Sequence, residues 1–108
     1  MDAVSWICLV AAGLLEVVWA YAMKQSEGFS RPWPSIITLV AMIASFTLLS
    51  VAMRSLPLGT SYMIWTGIGA VGAFVVGVVL LGEPLGALRI GAAVLIVSGL
   101  VLMKLSSR

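Results

Sequence analysis

The chain has 108 residues, of which 62% are hydrophobic and 9% charged, with a formal net charge of +2. A soluble domain carries about a quarter of its residues charged, so this balance excludes an ordinary water-soluble fold and points to a lipid bilayer. The six basic residues are dispersed and form no nucleic-acid patch, and with no histidine in the chain metal sites built on imidazole are excluded.

The first apolar run, residues 3–23, is long enough to cross hydrocarbon as a helix. It is expected to stay in the mature chain, because Asp2 stands where a secretory signal would carry basic residues and Glu16 interrupts the run. Cys8, the one cysteine, reads as a small apolar residue with no disulfide partner. Glu16 is different. A carboxylate at that depth costs at least about 2.5 kcal/mol, so it marks a functional site. Gly13, Trp19 and Ala20 fall at i−3, i+3 and i+4 from it and share its face. Gly13 is expected to leave space beside the carboxylate. Trp19 offers an aromatic surface there, or else an interfacial anchor. A carboxylate beside an aromatic ring suits a cation.

A connection from Lys24 to Pro34 leads to the second run, 35–53. Pro34 suits the first helical turn, and Trp33 reads as an interfacial anchor. Ser45 sits mid-helix, where a serine commonly bonds its own i−4 carbonyl; pairing with Glu16 is the other option. Arg54 to Pro57 connects to the third run, 58–81, where Tyr62 and Trp65 share a face with Gly69. Tyr62 reads either as a hydroxyl that holds Glu16 or as one half of an aromatic packing pair. Gly67 and Gly69 read as close-packing positions or as a hinge. After Gly82-Glu83-Pro84-Leu85-Gly86, the fourth run spans 87–103. Gly91, Leu95, Ser98 and Gly99 place a mostly small-residue flank on it, which suits dimer packing. Lys104 at its end is expected to snorkel to the headgroups.

The pattern reads as an all-α integral membrane protein, one four-helix domain over residues 1–108. Nothing alternates with period two, so helices are expected rather than a barrel. Arg54, Lys104 and Arg108 fall on one side and Lys24, Arg31 and Arg89 on the other, a tie that gives the positive-inside rule no preference. Dual topology, with copies inserted both ways, fits that tie. Four short helices enclose little, so two opposed copies sharing one chamber would echo the inverted repeats of larger transporters.

Together these residues resemble the small multidrug resistance family, and within it the guanidinium-exporter subtype. The resemblance spans nearly the whole chain: Glu16-Val17-Val18-Trp19-Ala20, Lys24-Gln25-Ser26-Glu27-Gly28-Phe29, Trp33-Pro34-Ser35, Leu56 through Tyr62, Ile64 through Gly69, and Gly82-Glu83-Pro84. It implies an antiparallel homodimer in the bacterial inner membrane that exchanges protons for guanidinium-type cations. It implies no enzyme activity and no cofactor. By resemblance, Glu16 of both subunits binds substrate and protons alternately, and Gly13, Trp19, Ser45, Tyr62 and Trp65 form the rest of the site. Trp19 and Lys104 point to the guanidinium subtype, while Ser61 departs from an expected alanine. Rival readings are a broad quaternary-ammonium exporter of the same fold, a half-transporter needing a second chain, and a non-transporting membrane subunit.

Overall fold

A computed structural model describes residues 3–106 of the chain. Asp2 and Arg108, both used in reading the termini and their charge, lie outside the described residues. Every regular element among the described residues is a helix: α1 Ala3–Gln25, α2 Pro32–Ala52, α3 Leu58–Leu81 and α4 Ala87–Ser106. All four are long and apolar enough to cross a membrane. Backbone groups in hydrocarbon must be satisfied within the segment, which helices achieve.

Four helix ends differ from the apolar runs, the smallest difference being that α2 closes at Ala52 rather than at residue 53. Counting apolar residues stops at the first charge or proline, whereas the backbone ladder does not. α1 continues through Lys24 to Gln25, and α4 through Lys104 to Ser106. α2 begins at Pro32 rather than at residue 35. Pro32 and Pro34 both occupy its first turn, where backbone N–H groups have no helical partner in any case. Arg31, held extended before proline, accepts from the Ser35 amide at 3.2 Å and the Ser35 hydroxyl at 2.5 Å.

Between α1 and α2 the chain turns on Ser26, which is fully buried. Its hydroxyl donates to the Met23 carbonyl at 2.6 Å and accepts from the Phe29 amide at 3.0 Å. These bonds hold Glu27, Gly28 and Phe29 at positive φ (50°, 72° and 66°), a region that side chains other than glycine rarely enter. Gly82, at φ 67°, ends α3, and the Glu83 amide returns to the Gly77 carbonyl at 3.0 Å.

α1 is the central helix. It packs most closely against α2, then against α3, while the α4 backbone lies beside α3. Leu9, Ala12, Leu49, Ala52, Leu56, Ile64 and Trp65 form the core, with Cys8 packed at its edge. The shortest dimension, 17 Å, fits about two helix layers. The result is a slab rather than a ring around a chamber. The two ends of the slab are tied differently. At one, the Ser5 and Ser55 hydroxyls hydrogen-bond, and Lys104 Nζ lies 4.5 Å over the Trp6 ring instead of simply reaching for headgroups. At the other, Arg89 pairs with Glu83 at 3.5 Å.

No residue of α4 is buried. Its α3-facing side carries Ala93, Leu100 and Met103, which are half-buried. Gly91, Leu95, Ser98 and Gly99 are exposed, Leu95 by 75%, and Leu95 and Gly99 line an open cleft beside α3. Gly91 and Gly99 have open space where a side chain would begin.

Candidate functional site

Glu16 is half-buried on α1, and its Oε1 atom is enclosed without a hydrogen-bond partner. The room for its carboxyl group comes from Gly69 of α3: a Cβ at Gly69 would overlap the carboxyl atoms. One turn further along, Gly72 admits Val17 in the same way. This corrects the expectation for Gly13. The space over Gly13 is filled by Ile68, whose Cγ2 would lie 2.7 Å from an added Cβ. Gly13 therefore seats α3 against α1, and Gly69 makes room for the carboxylate.

Ser45 of α2 also differs from both options read in the sequence. It is fully buried, and its hydroxyl donates across to the Ala12 carbonyl of α1 at 2.7 Å. The same oxygen accepts from Trp65 Nε1 of α3 at 3.0 Å. Ser45 bonds neither its own helix nor Glu16; it joins three helices and fixes the Trp65 indole. Such interhelical bonds contribute on average about 0.6 kcal/mol in membranes. Trp65, 8% exposed, is thereby held in one orientation.

Around this anchor runs a line of aromatic rings. Trp19 meets Phe46 edge-on at 6.3 Å and 72°. Phe46 meets Trp65 at 5.8 Å and 59°, and Trp65 meets Tyr62 at 5.6 Å and 46°. These are favoured tilted geometries. Phe46 is the member that sequence reading missed. Its adjacency to Ser45 in the middle of α2 is the one signal that points to it. Tyr62 joins this line as a packing partner of Trp65 and is 54% exposed, with no hydrogen bond to Glu16. The Trp19 Nε1 donor is buried without a partner, as is the Ser61 hydroxyl.

α3 runs unbroken past Gly67 and Gly69. Gly67 receives Leu100 of α4, so both glycines allow close approach in this conformation. No cluster of His, Cys, Asp and Glu able to hold a metal occurs among the described residues.

The site thus combines an unpartnered carboxylate oxygen, an unpartnered indole N–H one turn away, and a row of ring faces. A cation with several N–H donors would satisfy the first and be attracted by the last.

A family model described as Small Multidrug Resistance protein matches residues 4–96. The guanidinium exporter of Escherichia coli strain K12 is 58% identical over 103 residues, covering 95% of this chain and 98% of its own. The guanidinium exporter of Yersinia pestis is 59% identical over 103 residues, covering 95% of this chain and 99% of its own. That of Salmonella typhimurium strain LT2 is 57% identical over 103 residues, with coverages of 95% and 98%.

Proposed function

The chain belongs to the small multidrug resistance family, and on that premise we propose that it exports guanidinium and small substituted guanidinium cations in exchange for protons, as an antiparallel homodimer in the bacterial inner membrane. Two opposed copies share one site, with Glu16 of each binding protons and substrate in turn. The unpartnered Oε1 atom of Glu16, the one charged side chain in the run from Ala3 to Met23, carries this reading. An acceptor buried without a partner costs about 1–3 kcal/mol, and more when charged, unless a ligand or proton satisfies it.

Guanidinium is planar and pairs with carboxylates through parallel N–H donors, so one bound ion neutralises the anion and fills its acceptor sites. Trp19 and Trp65 supply ring faces for the remaining positive charge. Ser45 acts one step back, holding Trp65 still. Two facing carboxylates release their protons as a coupled pair. A site that takes protons or substrate, but not both, couples opposite fluxes. In an antiparallel dimer the inward-open and outward-open states are near equivalents, so ligand need supply only a modest bias. The exposed α4 flank at Gly91, Leu95, Ser98 and Gly99 supports its role as the dimer contact.

The test is flux through vesicles reconstituted with this chain alone, acidic inside, with guanidinium added outside. Guanidinium uptake is expected to accompany loss of interior protons, and Glu16→Gln is expected to abolish both. Proton-coupled uptake that persists in Glu16→Gln contradicts the assignment.

A further inference from the structure

A cleft of about 440 Å³ opens between α1, α2 and α3 at the end of the slab where α1 passes into α2. Val18 of α1, Ile37 of α2, and Val76 and Leu80 of α3 form apolar walls, and Gln25 and Arg31 line the end beside the connection. At 100° per residue, Val18 and Gln25 stand roughly 200° and 180° around α1 from Glu16. Val17 and Tyr21 also line the cleft, and Glu16 does not, so along α1 it begins beside the carboxylate and runs from there towards the connection to α2. The side of α1 that bears Val18 carries Ile7, Leu14 and Val18 as exposed apolar residues, the stripe a lipid-facing helix presents.

Arg31 gives the cleft a charged end. Its Nη1 donates to the Gln25 carbonyl at 3.3 Å, which steadies the guanidinium beside the cleft. A guanidinium has five N–H donors, so most remain for a ligand. Among the described residues no carboxylate pairs with Arg31. An apolar slot at hydrocarbon depth, ending in an unpaired guanidinium at headgroup depth, matches an amphiphile with an anionic head and a single long chain to bury.

We propose that this cleft binds an anionic glycerophospholipid, its phosphate on Arg31 and one acyl chain along Val18, Ile37, Val76 and Leu80. The bound chain bridges three helices. The site is separate from the cation site and does not depend on the transport reading.

The full chain, in neutral detergent, is incubated with equal amounts of phosphatidylglycerol and phosphatidylcholine of identical acyl chains. It is then repurified, and the retained lipid is measured by mass spectrometry. Wild type is expected to retain phosphatidylglycerol about fivefold over phosphatidylcholine. Arg31→Gln is expected to bring that ratio to about one, the loss of a single basic contact. Ile37→Trp fills the cleft without changing charge and is expected to lower retention of both lipids. Inorganic phosphate alone is expected not to displace the lipid. The far-UV helical spectrum and elution volume of the same samples separate loss of the lipid site from loss of the fold. An unchanged ratio in Arg31→Gln, unchanged retention in Ile37→Trp, or displacement by inorganic phosphate overturns the proposal.

Discussion

The carboxyl end of Glu16 lies against the backbone of Gly69, so closely that a methyl group on Gly69 would overlap it. The group that would have to yield is the far end of a flexible side chain, not backbone. Gly69→Ala is therefore expected to fold and to displace the carboxylate. Guanidinium affinity, measured by calorimetry on purified protein, is expected to fall at least about tenfold, the equivalent of 1.4 kcal/mol. The far-UV spectrum is expected to stay helical. Unchanged affinity would mean the carboxylate's seat does not matter to binding.

Ser45 holds Ala12 and Trp65 through a single oxygen. Ser45→Ala removes both bonds and leaves the Trp65 N–H buried without an acceptor. Thermal stability is expected to fall by roughly 1–2 kcal/mol. Guanidinium affinity is expected to fall as well, because the Trp65 ring loses its fixed orientation. With Trp6, Trp19 and Trp33 replaced by phenylalanine in both proteins, quenching of Trp65 by a polar quencher reports that release; no increase would place the anchoring elsewhere.

Trp19 stands one turn from Glu16 and touches Phe46 edge-on. Trp19→Gly removes a ring face and opens volume beside the carboxylate. Competition binding is expected to show guanidinium losing ground to a bulky aromatic quaternary ammonium. An unchanged ratio of the two affinities removes Trp19 from the selectivity of the site.

Much of this architecture is legible in the sequence because a bilayer simplifies the code. Uncharged runs of about twenty residues have few alternatives to helix, and one carboxylate inside a run marks itself. What sequence could not give is which helix meets which face. The spacing of Gly13 and Glu16 places them together on α1, but not that Ile68 would cover the first and Gly69 receive the second. Ser45 invited a local backbone bond, and its real partners lie 33 and 20 residues away. Phe46 carries no polar mark, and only the crossing of α1, α2 and α3 puts it between two tryptophans. Lys104 over Trp6 likewise depends on where α4 comes to rest.

Gly99 faces open space on the exposed flank of α4. Gly99→Phe is expected to leave each protomer's helices intact while keeping the α4 helices of two copies apart. The dimer dissociation constant, measured by energy transfer between labelled copies diluted in detergent, is expected to rise at least about tenfold. A dimer of wild-type strength would move the contact to another face.

If protons and guanidinium compete for Glu16, cation binding must displace protons wherever the pair is protonated. In that range each proton displaced weakens apparent guanidinium affinity about tenfold per unit fall in pH. The most direct measurement follows from the same linkage. Guanidinium is added to the purified protein in weakly buffered solution across that range, and the pH is recorded. Wild type is expected to acidify the medium, and Glu16→Gln to leave it unchanged. Binding without proton release in wild type, or equal release from Glu16→Gln, would contradict a shared carboxylate.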